Sequence, residues 1–264
     1  MSMSALAAPP AVLSFAASDP TSGAGLQADL LTLAALGCHP LSVVTALTVQ
    51  DTSGVARMLA IESSFVMEQA RQLLADIPVA AFKAGVLGSA QNVRAVSELL
   101  AHHRAQPFVL DPVLASGRGD SFADADTIEA LRTLLLPGTT VLTPNSIEAR
   151  RLAHPALELA ECAQRLLDYG CRYVLITGAH DGGAEVLNTL YDARGVVRND
   201  RWPRLAGEYH GSGCTLASAI AARLAHGVPA EQAVREAQQF TWDALAAGFS
   251  AGRGQRLPNR FFRR

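Results

Sequence analysis

Apolar residues along the chain fall into short, near-continuous runs that alternate with longer stretches carrying leucine or alanine at helical spacing. Val12 to Ala17 is the first run. It ends in Ser18-Asp19-Pro20-Thr21-Ser22-Gly23-Ala24-Gly25, and Leu26 to Leu36 then carries leucines at helical spacing up to Gly37, which predicts strand, turn and helix. Leu41 to Val49 reads as a β-branched strand, Gln50 to Gly54 as a loop, and Ser64 to Ala75 as a helix. Ala80 to Ala84 predicts a strand and Ala90 to His103 a helix. Phe108 to Leu110 is a strand ended by Asp111-Pro112, Ala125 to Leu135 a helix, Thr140 to Leu142 a strand and Ser146 to Ala153 a helix. The alternation continues through Leu157 to Asp168 and Tyr173 to Ile176. Glu185 to Tyr191 and Val196 to Arg201 predict an antiparallel hairpin, Thr215 to His226 and Glu231 to Ala247 are helical, and a loose Gly/Arg/Pro tail follows from Gly248.

Strands alternating with helices predict an α/β fold, a mainly parallel central sheet with helices on both faces and the late hairpin adding antiparallel strands at one edge. Ligands in such sheets bind beyond the C-terminal ends of the strands. The polar clusters lie there: Ser18 to Gly25, Gln50 to Thr52, Asp111, Thr143 to Glu148, Thr177 to His180 and Gly211 to Cys214. Chemistry is therefore expected on one rim.

Composition narrows the partners. With 264 residues, 49% hydrophobic and 17% charged, the chain has the make-up of an ordinary globular protein with a substantial core. A formal net charge of -2 supplies no broad basic field, so neither nucleic acid nor an anionic membrane is expected as a partner. No apolar run approaches the ~18 to 20 residues needed to span a bilayer. Cys38, Cys162, Cys171 and Cys214 lack Cys-x-x-Cys spacing, and Met1 to Ala11 lacks the features of a secretory signal, so a cytoplasmic protein with reduced thiols is expected.

Within the rim, His210 to Ala222 is a glycine-rich turn running into a small-residue helix. Gly211 and Gly213 can take positive φ, Ser212 or Thr215 can cap the helix, and outward-pointing amides at the positive end of its dipole would favour an anion. The same field is expected to lower the pKa of Cys214. Such turns also serve plain structural roles, and a cysteine among alanines is often a small core residue. Lys83, the single lysine in a chain whose other cations are arginines, marks a place for a compact ammonium or reflects arginine-biased usage.

Six segments occur in one order: Ala17 to Asp29, Thr45 to Thr52, Lys83-Ala84-Gly85-Val86-Leu87-Gly88-Ser89, Asp111-Pro112-Val113, Thr143-Pro144-Asn145-Ser146-Ile147-Glu148 and Gly211-Ser212-Gly213-Cys214-Thr215. Together they resemble the hydroxymethylpyrimidine/phosphomethylpyrimidine kinases of thiamine biosynthesis, a branch of the ribokinase superfamily, from about Val12 to Phe261. The resemblance implies a ribokinase-like three-layer fold, with residues 12–264 as one kinase domain after a flexible extension at 1–11. It also implies ATP-dependent phosphorylation of 4-amino-5-hydroxymethyl-2-methylpyrimidine and then of its monophosphate, with Mg²⁺, in a homodimer.

The resemblance assigns residues as well. Cys214, where most of the superfamily has an aspartate, becomes the general base, with Gly211, Ser212 and Gly213 forming the anion cradle. Asp111 and Glu148 become candidates for Mg²⁺, although Asp-Pro is an ordinary strand-ending turn and Asn145 with Glu148 fits a capping box. Gln50 offers the amide pattern that complements an aminopyrimidine edge; as a plain loop residue it needs no such role. Asp29 would anchor the hydroxymethyl side or a ring substituent, while Ala17, Val86 and Val113 shape the pocket. Lys83, Asn145, Thr177 and Arg118 fall on the ATP and phosphate side. The chain departs from the family at Gly117 and Thr177, where lysines are common; Arg118 stands in for the first with a different reach. Val86 replaces a common methionine. Pyridoxal kinase activity and a pyrimidine- or nucleotide-binding protein without catalysis are the competing readings. A hydrolase pairing Cys214 with His210 ranks below them, since no third group to orient the histidine is evident in the sequence.

Overall fold

A computed structural model describes residues 8–115, 122–178 and 182–263. Nine strands form one sheet: β1 (Ala11–Ser18), β2 (His39–Asp51), β3 (Gly54–Ala60), β4 (Val79–Ala84), β5 (Phe108–Leu110), β6 (Val141–Leu142), β7 (Tyr173–Thr177), β8 (Glu185–Asp192) and β9 (Gly195–Pro203). Their order is β3-β2-β1-β4-β5-β6-β7-β8-β9. Within that order β2, β1, β4, β5, β6 and β7 run parallel to one another, as a chain of strand–helix crossovers requires.

Antiparallel strands stand at both edges, whereas the sequence predicts them at one. β8 and β9 form the expected hairpin, and β3 folds back on β2 at the other end. Gln50, expected in a loop, is therefore a strand residue paired with Val55. The reason β3 escapes a reading of periodicity is its burial: as an edge strand open on both sides it has no buried face, so its sequence does not alternate.

Helices α1 (Gly25–Ala35), α7 (Ser212–Ala225) and α8 (Ala230–Ala246) cover one face; α2 (Ser63–Asp76), α3 (Ala90–Leu100), α4 (Ala125–Ala130), α5 (Ser146–Leu152) and α6 (Leu159–Asp168) cover the other. The helix expected to reach Leu135 changes to a π turn over Leu131–Leu135, which places Leu131 and Leu135 in the core. Side-chain alternation along the central strands sorts two cores. Leu13, Phe15, Phe82 and Ala84 point toward the α2–α6 side, while Val12 and Ala81 join α7 and α8. Ser14 and Lys83 share the parity of Val12 and Ala81, so two polar side chains are sent into the α1–α7 layer. Their partners come from those helices, as described below.

α7 is the central helix of that layer, buried at every residue from Thr215 to Ala222. Its alanines let it lie close to the sheet, and this fixes its N-terminal turn at the rim where β1, β4, β5, β6 and β7 end. Ala11 belongs to β1, and Pro10 O accepts a bond from His39 N, so the expected extension 1–11 reaches into the sheet; its first seven residues lie outside the described ones. No helix among the described residues is long and apolar enough to cross a membrane.

Candidate active site

The parallel strands deliver Ser18, Gly85, Asp111, Thr143 and Thr177 to one rim, and α7 begins above it. The N-cap of α7 is Gly211 at φ 76°, and no side chain caps the helix. This corrects the expectation for Ser212 and Thr215: Thr215 Oγ1 instead donates back to Gly211 O at 2.8 Å. Glycine is required at 211 because a Cβ there would lie 1.9 Å from Gly23 O, besides the left-handed backbone. Gly213 has no positive φ; it sits in the first turn, where a Cβ would meet the Asp111 carboxyl oxygens at 3.7 Å. The uncapped N-terminal amides leave donors available to an anion.

Cys214 is half-buried in that turn, its thiol against the Asp111 carboxylate and the Gly25 N–H. Here the structure overturns the expected direction of its pKa. Burial pushes the thiol up to about 12; Lys83 opposes this, while Asp111 and Asp29 add to it. Desolvation is the largest influence, with two neighbouring carboxylates acting in the same direction.

Below Cys214, Lys83 Nζ donates to Asp29 Oδ2 at 2.9 Å, with both side chains at 0% exposure. Ser14 Oγ donates to the same oxygen at 2.5 Å, and Ser218 Oγ to Asp29 Oδ1 at 2.7 Å. The separate duties expected of these residues, phosphate contact for Lys83 and substrate contact for Asp29, give way to one enclosed pair. Burial lowers the Lys83 pKa, but the charges of Asp29, Cys214 and Asp111 prevail and raise it. Lys83 is a fixed positive charge beneath Cys214.

Asp111 and Glu148 form the acidic side. Burial pushes Asp111 up to about 6 against the pull of Lys83, and burial with Asp111 repulsion pushes Glu148 up to about 8. Asp111 Oδ2 is buried without a hydrogen-bond partner. Glu148 closes a capping box with Asn145: Asn145 Oδ1 accepts from Ile147 N and Glu148 N, and Glu148 Oε2 accepts from Asn145 N at 2.9 Å. The capping reading is thus realised. Two close carboxyls with raised pKa values and an orphaned buried oxygen also suit an oxygen-preferring divalent cation. Among the described residues no group of three or more His, Cys, Asp or Glu is arranged to hold a metal ion.

The remaining residues spread along the rim. Asn145 and Thr177 meet in a parallel bridge, with Thr177 N donating to Pro144 O at 3.0 Å. Val86 and Val113 line one small cavity with Pro112 and Phe122. Ala17 is buried at the end of β1, and Gln50 is half-buried on β2 with no hydrogen bond to its side-chain amide among the described residues. Arg118, Gly117 and His180 lie outside the described residues.

Two residues at the site carry no sequence signal of their role. Asp19 accepts bonds from Ala24 N, Thr21 Oγ1 and His210 Nε2, the last at 2.9 Å, and these hold its pKa down at about 2 although burial pushes the other way. It is the orienting group for His210 that the sequence hides, yet no hydrogen bond joins His210 to Cys214 among the described residues, so the hydrolase arrangement is not formed. Arg260, in the tail read as loose, is buried against the cradle. Only proximity in space, 45 residues from Thr215, reveals it.

Residues 19–259 match the sequence profile of the phosphomethylpyrimidine kinase family. A hydroxymethylpyrimidine/phosphomethylpyrimidine kinase of Streptomyces coelicolor is 42% identical over 254 residues, covering 93% of this chain and 92% of the relative. Among solved structures, the pyridoxal kinase of Staphylococcus aureus in complex with AMP-PCP and pyridoxal superposes with a TM-score of 0.87 at 28% identity, over 96% of this chain and 94% of that one. The phosphomethylpyrimidine kinase of Clostridium difficile 630 gives 0.76 at 30% identity, over 89% and 99%. The ribokinase-like sheet, the glycine-led start of α7 and this similarity across nearly the whole length agree: the chain belongs to the hydroxymethylpyrimidine/phosphomethylpyrimidine kinase family.

Proposed function

We propose that the protein transfers the γ-phosphoryl group of ATP to the hydroxymethyl oxygen of 4-amino-5-hydroxymethyl-2-methylpyrimidine, and then a second phosphoryl group to the resulting monophosphate. The observation that carries this reading is the contact of the Cys214 thiol with Asp111 directly at the amide cradle of α7. In the first step the hydroxyl oxygen attacks the γ-phosphorus, the bond to the β-phosphate oxygen breaks and ADP leaves, and the hydroxyl proton passes to Cys214 after its thiol, neutral in the ligand-free protein, has lost its own proton to solvent. The cradle amides hold the negative charge that spreads over the transferring group. Mg²⁺, held by Asp111 and Glu148, would neutralise those carboxylates and the phosphates of ATP. Loss of the Asp111 field removes one of the influences that raise the thiol pKa. The second acceptor is a phosphate monoester with a pKa of ~6 and needs no base near neutral pH.

Gln50 on β2 is the donor–acceptor pair for the aminopyrimidine edge, and Val86 and Val113 bound the ring. Asn145 and Thr177 lie on the nucleotide side. Homodimer formation is supported by Leu47, Val49 and Leu59, exposed at 47%, 53% and 59% on one face of the β2–β3 hairpin.

Phosphorus NMR of the purified protein with MgATP and the pyrimidine alcohol tests the reading: monophosphate followed by pyrophosphate is expected. Tight pyrimidine binding with no ATP consumed would replace it with the binding-protein reading. Pyridoxal kinase activity is the competing reading, because the S. aureus enzyme shares the fold at 28% identity, and faster turnover of pyridoxal than of the pyrimidine alcohol would establish it.

A further inference from the structure

The tail after α8 is a strap. Phe249 and Leu257 exchange backbone bonds, Arg256 N donates to Glu208 O, and His210 N donates to Arg256 O, so the tail flanks the segment entering the cradle. Gln255 N reaches Thr52 O in the β2–β3 turn at 2.8 Å, and Asn259 N reaches Ala244 O of α8 at 2.9 Å. These anchors deliver Arg260, 4% exposed, between the two walls of the site.

Its guanidinium spends three donors on neutral acceptors from both walls. Nη1 and Nη2 donate to Ser22 O at 3.3 Å and Gly23 O at 2.6 Å, in the turn before α1, and Nε donates to Thr215 Oγ1 of α7 at 3.1 Å. No carboxylate bonds it among the described residues. Ser22 is the one described non-glycine residue at positive φ, 61°, a conformation that needs support from outside. The second wall touches the first directly, since Gly23 O occupies the space where a Gly211 Cβ would lie. A shift of the Ser22–Gly23 turn would therefore be transmitted to the cradle.

We propose that Arg260 is a positioning residue for phosphoryl transfer, its planar fork fixing the Ser22–Gly23 turn against the first turn of α7 and so setting where the cradle amides point. The proposal rests on the kinase reading above. Lysine cannot reproduce the span, because one ammonium does not reach three acceptors on two walls in a fixed plane.

The test compares wild type, Arg260→Ala, Arg260→Lys and, as a control on an exposed tail residue, Arg263→Ala. Displacing reacting groups by about an ångström costs up to ~100-fold in rate, so Arg260→Ala should lose about 10- to 100-fold in kcat while KM for both substrates changes little. Arg260→Lys should fall between, low-millimolar guanidinium should restore the alanine variant several-fold, and Arg263→Ala should match wild type. Hydrogen exchange by mass spectrometry should show faster exchange at residues 20–26 and 209–216 in Arg260→Ala. Unchanged kcat in Arg260→Ala, unchanged exchange in those segments, or a loss that guanidinium does not relieve would overturn the proposal. If the alanine variant fails to fold, wild-type kcat in Arg260→Lys overturns it and a reduced kcat with unchanged KM supports it. A wild-type protein that phosphorylates no pyrimidine refutes the kinase reading, and the exchange measurement still decides whether Arg260 holds the two walls.

Discussion

Lys83 and Asp29 form an ion pair 2.9 Å apart with no exposed surface on either side chain, and Ser14 and Ser218 complete the carboxylate's bonding. Removing one partner leaves the other charge buried without compensation, at a cost of about 3–5 kcal/mol. Lys83→Met and Asp29→Asn are each expected to lower unfolding free energy on that scale in urea titrations. The double variant should lose much less than the sum of the two, because neither charge is stranded. Additive losses would show that the two residues act separately.

Cys214→Ser should slow the first phosphorylation by about 100-fold or more, the usual worth of a positioned general base, and affect the second far less. The acceptor in the second step is already largely dianionic near neutral pH. Stepwise rates on alcohol and monophosphate measure the difference directly, and equal losses would leave Cys214 with positioning alone. With a thiol pushed up to about 12, the metal- and nucleotide-free protein should also alkylate slowly at Cys214 at pH 8, since little thiolate is present.

The Asp19–His210 contact sets a pH dependence. The folded-state pKa of Asp19, about 2, lies below its ordinary value of 3.8, so the unfolded chain binds more protons in acid. The stability it contributes is complete above 3.8 and disappears as pH falls through 2. His210→Ala removes its strongest hydrogen-bonding support and should cost roughly 1–2 kcal/mol at pH 7. Denaturant midpoints followed from pH 7 to pH 2 should then show a shallower acid decline in the variant, because less of its stability depends on an ionised Asp19. An identical acid profile would remove Asp19 from the account.

Asp111→Asn and Glu148→Gln separate the metal role from the cap. Both should raise the Mg²⁺ concentration needed for half-maximal rate, whereas Asn145→Ala should cost about 1 kcal/mol of stability through the lost cap and leave the binding of Mn²⁺, read by electron paramagnetic resonance, largely intact. Asp111→Asn with an unchanged metal requirement would restrict Asp111 to its contact with Cys214.

Order, spacing and residue type made the parallel sheet and its rim legible in the sequence, because strands buried on both faces and leucine-spaced helices leave strong periodic signals. β3 left none, being exposed on both sides. The cradle was readable at Gly211, where sterics demand glycine, and misread at Ser212 and Thr215, whose hydroxyls do not cap the helix. The capping box of Asn145 and Glu148 is local and was plain. The pairing of Lys83 with Asp29 was not, since it depends on which parity of β4 faces α1. Nor could the Cys214 pKa be read from its helix position, because desolvation and the Asp111 and Asp29 charges are three-dimensional quantities.

The strap separates assembly of the sheet from assembly of the site. Every strand and helix described precedes Gly248, yet the two walls are bolted together by a side chain that follows them all. The hydrophobic layers can therefore pack without Arg260. The cradle would acquire its working shape only when the tail docks, so catalytic competence is separable from the folding of the sheet itself.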